Sequence, residues 1–257
     1  RLTPREEIKP REVRLELVGR ETYYVRQHSG GKNGGTRIVR RNSDFNLITR
    51  TLAQQPVLTR GIEQYWDTSL ALPPEAPPTS RGKLVDVRWA LKSVIDIPMR
   101  PDHSSEVPVL VYKLPPQSEA FAAAPADKAF DECLLKMEAP HVAAAGDTLI
   151  GHLHLEMRKE INVRGIRVEL ISYEDAGARK ESVVAASRQI AESLAIGPHE
   201  MRSFEFALAI PGDSPPSMVS PHSSLRWVLK VSLDRRFRGD LNIEQEVLVY
   251  NAPEGKS

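Results

Sequence analysis

The chain repeats itself, and this duplication constrains its fold more than any other feature of the sequence. Residues 66–112 align with residues 204–250 without a gap at an offset of 138, and 17 of the 47 aligned pairs are identical. The identical pairs include prolines and aromatic residues: Pro73/Pro211, Pro77/Pro215, Pro78/Pro216, Trp89/Trp227 and Tyr112/Tyr250. Self-similarity of this kind is typical of a chain built from copies of one structural unit. The sequence therefore predicts two tandem domains of the same fold.

The amino-terminal parts of the two copies align at a different offset. Val13–Leu17 resembles Ile166–Leu170 at an offset of 153. The first copy therefore holds 15 additional residues between this segment and residues 66–112, which align at an offset of 138. These include the stretch His28–Gly35, which we expect to be a flexible loop because it is rich in glycine. It lacks the Gly-Lys-Ser/Thr ending of a phosphate-binding loop, which argues against nucleotide binding there. The segment Phe130–Leu153 of the second copy has no counterpart in the first. We therefore expect one or two strands to precede Arg1.

Apolar and polar residues alternate along the repeated segments, which is typical of antiparallel strands with one buried face. Turn-forming residues at Arg100–Asp102 and Arg235–Asp240 predict a hairpin in each copy. Residues 181–193 fit a helix or a strand, and the repeat favours a strand. We expect an all-β fold of two tandem immunoglobulin-like antiparallel β-sandwiches related by internal duplication. One face of each repeated strand is apolar: Val87, Trp89, Leu91 and Ile95 in the first copy, and Leu225, Trp227, Leu229, Val231 and Leu233 in the second.

Proline and alanine mark the boundary between the two copies. We assign residues 1–113 to the first sandwich, 114–129 to a Pro/Ala-rich linker, 130–251 to the second sandwich and 252–257 to a tail. Trp89 and Trp227 are expected to anchor the two cores.

Composition limits the classes of function. Cys133 is the single cysteine, so an intramolecular disulfide is excluded, and a reducing, cytoplasmic location is expected. No apolar run is long enough to span a bilayer. Residues 1–112 carry 18 Lys/Arg against 13 Asp/Glu, whereas the remainder carries 17 against 21. The basic first half favours an anionic or phosphorylated partner, but its charges are too dispersed for a nucleic-acid-binding stripe.

Several turn and strand motifs resemble the arrestin superfamily. Gly197, the strand Phe204–Pro211 and the loop Pro215–Ser217 are similar to a glycine turn, an aromatic strand and a proline-rich loop of that family. Leu225–Val231 resembles the following strand, and Gly146–Gly151 resembles the opening strand pair. The first copy carries a weaker version of the pattern. The resemblance, to the branch with bacterial sporulation-control proteins and the arrestin-like retromer subunit, implies two immunoglobulin-like sandwiches acting as an adaptor or regulator without catalysis.

Two side-chain clusters are candidate sites. His152 and His154 alternate with Leu153 on a predicted strand and share a face with Glu156, which is a feasible geometry for zinc. A solvated strand face has the same pattern. The arginines Arg235, Arg236 and Arg238 at the predicted hairpin tip suit a carboxylate or phosphate, and equally a solvated turn.

No motif assigns a catalytic, cofactor-binding or metal-binding residue. Cys133 lies in an apparent strand and is interpreted as a small core residue rather than a nucleophile. His103 and His222 each adjoin a serine, but neighbours in a loop do not converge as the members of a catalytic triad must.

Three functions remain as hypotheses. The leading hypothesis is a non-catalytic adaptor or regulatory scaffold that docks partner peptides or proteins on exposed strands or in the interdomain cleft. The alternatives are an exported carbohydrate- or cell-wall-binding module and a metal-dependent hydrolase that uses His152 and His154. The sequence leaves the partner, the binding residues and the oligomeric state open.

Overall fold

The structure, a computed structural model, describes residues 1–29, 35–115 and 125–251. These residues form strands and connecting segments and contain no helix, so the predicted all-β fold is confirmed. None of the described segments is an apolar helix of membrane-spanning length. The strands are β1 Glu12–His28, β2 Thr36–Gln54, β3 Ser80–Arg81, β4 Asp86–Asp96, β5 His103–Val109, β6 Ala126–Ala129, β7 Cys133–Glu138, β8 Val142–Ala144, β9 Thr148–Met157, β10 Ile161–Ala176, β11 Arg179–Ile196, β12 Met201–Ala209, β13 Met218–Val219, β14 Ser224–Arg235 and β15 Leu241–Tyr250.

The second copy is a sandwich of two sheets. One sheet has the order β11-β10-β14-β15-β8, with β13 paired to β14, and the other has the order β12-β9-β7-β6. The predicted strand at residues 181–193 lies within β11. All five residues expected on the buried face of β14 are at most 2% exposed. The alternation in the sequence therefore identifies the face that packs into the core.

The first copy contributes a single sheet in the described residues. Its order is β2-β1-β4-β3, with β5 paired to β4. Residues 55–79 connect β2 to β3 and form no named strand, although Leu58 within them is fully buried and Leu70 packs against the core. Within the described residues, the sheet of the first copy thus has an equivalent for every strand of that layer of the sandwich except β8. An irregular segment lies where the second copy has β12 of its other layer.

A short strand lies within the segment assigned to the linker. Ala126–Ala129 form β6 and pair with Leu134–Met137, so these four residues belong to the second sandwich rather than to the expected linker 114–129. The physical reason is that β7 offers an open edge, and the backbone of β6 gains hydrogen bonds by pairing with it. Residues 116–124 of that linker, the tail 252–257 and residues 30–34 of the glycine-rich stretch lie outside the described residues.

The duplication extends to individual hydrogen bonds. The indole Nε1 of Trp89 donates to the carbonyl oxygen of Pro77 at 2.9 Å, and that of Trp227 donates to Pro215 at 3.0 Å. The hairpins share one register, since Trp89 pairs with Val109 and Trp227 with Val247. A proline-rich loop beside a tryptophan recurs in both copies because its carbonyl satisfies the buried indole. In addition, the hydroxyls of Thr79 and Ser217 accept from the backbone N–H groups of Val111 and Val249, each at 2.9 Å.

We predict that Trp227→Ala lowers the free energy of unfolding by about 3–5 kcal/mol, because it removes a large ring that is 2% exposed. Trp227→Phe keeps most of the ring but leaves the Pro215 carbonyl without its donor, so we expect a loss of about 1–3 kcal/mol. Urea denaturation followed by circular dichroism measures both. The control is Phe237→Ala, at a position 97% exposed. Equal midpoints for Trp227→Ala and this control would contradict the assignment of Trp227 as a core anchor.

Candidate functional site

The two copies meet where β1 approaches the turn between β10 and β11. The N–H of Ala178 donates to the carbonyl oxygen of Tyr24 at 2.7 Å. Gly177 lies in the left-handed region with φ of 74°, and a Cβ added there would come within 2.6 Å of that same oxygen. Glycine is therefore required at this contact for two independent reasons. Tyr24 and Gly177 are also equivalent positions at the offset of 153, so the copies approach each other about a local pseudo-two-fold axis.

Beside this axis, a buried carboxylate of the second copy binds backbone N–H groups of the first copy. Glu174 is 4% exposed. Its Oε1 accepts from the backbone N–H of Lys83 at 2.9 Å, and its Oε2 accepts from Leu84 at 2.6 Å and Val85 at 2.9 Å. A Cβ on the preceding Gly82 would come within 2.6 Å of both carboxylate oxygens. Three charge-assisted hydrogen bonds replace the hydration that this carboxylate loses on burial.

A second buried carboxylate makes the reciprocal contact. Glu21 of the first copy is 1% exposed and binds the loop before β14. Its Oε1 lies 2.6 Å from Nδ1 of His222, and its Oε2 accepts from the hydroxyls of Ser220 at 2.5 Å and Ser223 at 3.2 Å. The imidazole of His222 also stacks on Tyr23 with ring centroids 4.3 Å apart.

This Glu-His-Ser cluster differs from a catalytic triad. In a triad the carboxylate orients the histidine, and the histidine in turn contacts the serine nucleophile. Here both serine hydroxyls contact Glu21 and each other. The arrangement satisfies a buried charge at an interface, and it leaves no serine activated by His222.

The two carboxylate contacts are the same contact made twice. Glu21 and Glu174 occupy equivalent positions at the offset of 153, and the loops 82–85 and 220–223 are equivalent at 138. Glu21 of the first copy therefore binds the loop before β14 of the second copy, and Glu174 of the second copy binds the loop before β4 of the first. No motif in the sequence marks either residue as functional. A signal is nevertheless present, because Glu21 and Glu174 are identical in the alignment of β1 with β10. The strand alternation places both of these acidic residues on the apolar face of their strands.

A groove of about 720 Å³ lies between the copies on a surface formed by both. Its walls are the proline-rich segment 72–78 and residues 111–114 of the first copy, and residues 217–219 and 224–226 of the second. Four large apolar side chains in it are exposed to solvent: Leu72 at 38%, Tyr112 at 38%, Leu114 at 64% and Val219 at 75%. Apolar surface grouped in a concave site is typical of a binding surface.

Charged side chains of both signs surround this apolar surface. Glu75 and Lys113 come from the first copy, and Arg226 and Glu246 from the second. Within the part of the chain that the structure describes, none of the four forms an ion pair, although Arg226 lies over the ring of Tyr173 at 4.7 Å. Groups that are not committed to internal pairs are available to a ligand.

His152 and His154 do share a strand face, as the alternation predicts. Their ring centroids are 6.2 Å apart, Nδ1 of His154 lies 3.0 Å from the Ser203 hydroxyl, and its Nε2 lies 3.8 Å from Glu138. A hydrogen bond from Lys136 lowers the pKa of Glu138, so an ammonium group already occupies the nearest carboxylate. The described residues contain no group of three or more His, Cys, Asp or Glu side chains arranged to hold a metal.

The remaining candidates have structural partners. Cys133 is fully buried, and this burial raises the pKa of its thiol to about 11, so the thiolate that a nucleophile requires is disfavoured at neutral pH. Arg235 donates to Glu132 at 2.9 Å and to the carbonyl oxygen of Gly239 at 2.8 Å. Arg238 lies 3.4 Å from the same carboxylate. Two of the three hairpin-tip arginines thus hold the hairpin to the bend between β6 and β7.

We predict that Glu174→Gln lowers the free energy of unfolding by about 2–4 kcal/mol, because three backbone N–H groups lose the charged acceptor that a buried carboxylate gives them. The matched control is Glu181→Gln, which removes only an ion pair to Lys83 whose ammonium end is exposed. We expect that change to cost about 0–1 kcal/mol. Urea denaturation measures stability, and hydrogen exchange at residues 83–85 reports the local opening. Exchange at these amides as slow in Glu174→Gln as in the control would contradict the interpretation.

Comparisons with known proteins bear on the family. Residues 1–115 match the family model described as arrestin (or S-antigen), N-terminal domain. No curated protein matches the chain by sequence. Among solved structures, Spo0M, a sporulation control protein from Bacillus subtilis, is similar over 47% of this chain and 50% of its own, so the match spans about half of that protein, with 17% identity and a TM-score of 0.42. The family model therefore covers the first copy, to which the duplication relates the second copy.

Proposed function

We propose that the protein is a non-catalytic adaptor that binds an extended peptide segment of a partner protein in the groove between its two copies. Proteins of the arrestin family bind other proteins. The observation that carries the proposal is the groove itself, where apolar side chains from both copies are exposed together. Its four charged groups form no ion pair with any residue that the structure describes.

The chemistry of the groove specifies the ligand. The exposed side chains of Leu72, Leu114 and Val219 favour a segment with aliphatic or aromatic residues. Lys113 and Arg226 suit acidic groups, and Glu75 and Glu246 suit basic ones, so a segment of mixed charge satisfies all four. The proline-rich wall 72–78 is rigid, which reduces the entropy lost when a peptide binds.

A second docking surface is the edge strand β2. It pairs on one side with β1, and its other side is open to an added strand. Its arginines at positions 37, 40, 41 and 50 are exposed and, within the described residues, form no ion pair. An acidic or phosphorylated segment fits this edge, because guanidinium groups bind carboxylate and phosphate through paired hydrogen bonds.

The structure offers less for the two alternatives. A carbohydrate-binding module presents exposed aromatic rings, and the exposed aromatic side chains among the described residues, Tyr65, Tyr112 and Phe237, lie on three separate segments. A metal-dependent hydrolase needs a ligand set that His152 and His154 lack in the described residues.

We predict that the double variant Leu72→Asp/Val219→Asp binds the partner at least tenfold more weakly than the unaltered protein, because it places charge on the apolar part of the groove. Partners are first identified by affinity capture from native lysate with mass spectrometry. Their binding segments are then made as peptides, and fluorescence anisotropy gives the Kd for each variant.

The matched control is Phe237→Asp, which replaces an exposed apolar residue at the opposite end of the β14–β15 hairpin. Its Kd is expected to stay within a factor of two. Arg37→Ser/Arg41→Ser, with and without phosphatase treatment of the peptide, tests the β2 edge separately. Unchanged affinity in the groove variant would overturn the groove as the binding site, and loss of binding only in the arginine variant would transfer the site to β2.

A further inference from the structure

The strand β11 forms one edge of the larger sheet of the second copy. It pairs with β10 on one side. On its other side, within the described residues, no backbone hydrogen bond joins Arg179–Ile196 to another segment. This edge therefore presents N–H and C=O groups to which a further strand can add.

The middle of this edge is exposed and uncharged. Residues 182–187 read Ser-Val-Val-Ala-Ala-Ser. Val183 is 36% exposed and Val184 is 51% exposed. Sheet edges are commonly protected from pairing by charged side chains. The nearest charges in β11 lie on either side of this segment, with Glu181 before it and Arg188 after it.

These two charges make the segment complementary to itself. When the β11 strands of two molecules run antiparallel about a two-fold axis between Val184 and Ala185, Glu181 of each lies opposite Arg188 of the other. Two ion pairs then flank an uncharged centre. Opposite charges that face each other across neighbouring strands stabilise a sheet.

A bulge in β11 places the two charged side chains on one face of the strand. Residues seven positions apart lie on opposite faces of a regular strand. Ala185 is an extra residue in β11, because two consecutive residues of β10 are paired with Val184 and Ala186. The extra residue therefore turns Glu181 and Arg188 onto the same face.

The partners of these residues in β10 agree with this orientation. Glu181 is paired with Glu174, and Arg188 is paired with Val168. These partners are 4% and 0% exposed and lie an even number of positions apart in β10, so both belong to the buried face of the sheet. Because the two-fold axis lies beside the bulge, the bulges of two molecules face each other and the strands stay in register.

Both charged groups can take part in such a contact. Nη1 of Arg188 donates to the carbonyl oxygen of Ala207 at 3.1 Å, and no carboxylate among the described residues forms an ion pair with this arginine. Its Nη2 and Nε can bind a carboxylate. Glu181 forms an ion pair with Lys83, whose ammonium end is exposed, and a carboxylate accepts further donors.

We propose that β11 is the dimerisation strand of the protein, and that it binds β11 of a second copy of the chain, antiparallel about the axis between Val184 and Ala185. The larger sheets of the two molecules then form one continuous sheet. An extended segment of another protein could use the same backbone groups, but the two ion pairs require a glutamate and an arginine spaced as they are in β11. The groove is lined by residues of β13, β14 and β15, and β10 separates these strands from the edge, so the dimer carries two grooves.

Sedimentation velocity of the unaltered chain at concentrations up to about 500 µM measures the self-association. We expect a monomer–dimer equilibrium. Arg188→Glu places a glutamate opposite Glu181, and we expect the dimer dissociation constant to rise at least tenfold, because both ion pairs become like-charge pairs. The control Glu192→Arg reverses an exposed charge of β11 outside the pairing segment and is expected to change the constant by no more than about twofold.

A charge exchange provides the rescue. Glu181→Arg/Arg188→Glu restores both ion pairs between the molecules, so we expect its dissociation constant to return to within about threefold of that of the unaltered chain. The internal contacts to Lys83 and Ala207 are not restored by this double variant. Recovery therefore reports the contact between the molecules rather than the stability of each. Hydrogen exchange at residues 182–187 is expected to slow as the protein concentration rises.

Three results would overturn the proposal. A chain that stays monomeric throughout this concentration range forms no such dimer. A dimer that forms equally well with Arg188→Glu has its interface elsewhere. A double variant that is folded, as judged by circular dichroism, and does not recover dimerisation shows that the two charges do not face each other.

Discussion

Two buried carboxylates, one from each copy, hold the molecule in its arrangement. Glu21 and Glu174 lie almost fully out of solvent, and each has replaced its hydration with donors from the loop of the opposite copy. A buried charge without such donors costs several kcal/mol, so each copy stabilises the charge that the other inserts. Removing one partner leaves the other uncompensated. The position of the groove between the copies depends on this reciprocal contact, because the walls of the groove come from both.

Duplication followed by divergence explains why the two contacts are alike in position and different in chemistry. Glu174 binds three backbone N–H groups, and Gly82 provides the space for its carboxylate. Glu21 keeps one backbone donor, the N–H of His222, which is equivalent to that of Leu84. Its other donors are hydroxyl and imidazole groups, since serine occupies both ends of the equivalent loop and Pro221 lacks an N–H at the position of Lys83. One geometric requirement, a set of donors aimed at a carboxylate, has thus been met by two sets of residues.

The fold could be predicted from the sequence because its signals are local. Alternation identified the buried face of β14 in full but that of β4 only in part, since Leu91 and Ile95 are half-buried and Val94 on the opposite face is 1% exposed. The repeated turn residues located both hairpins. The interface could not be predicted in the same way, because the donors to Glu21 lie about two hundred residues further along the chain. His222 was considered only with its neighbouring serine, whereas its main partner comes from the other copy. The groove is likewise a product of how the copies dock, so no single segment carries a motif for it.

We propose that the two carboxylates fix one copy against the other and so form the groove between them. Small-angle X-ray scattering of the unaltered protein and of Glu21→Ala/Glu174→Ala tests it most directly, with circular dichroism to confirm that the strands persist. The account predicts that the double variant retains its β-sheet content but has a larger radius of gyration and a broader distance distribution, because the copies separate. Scattering curves that superimpose, with sheet content unchanged, would contradict it.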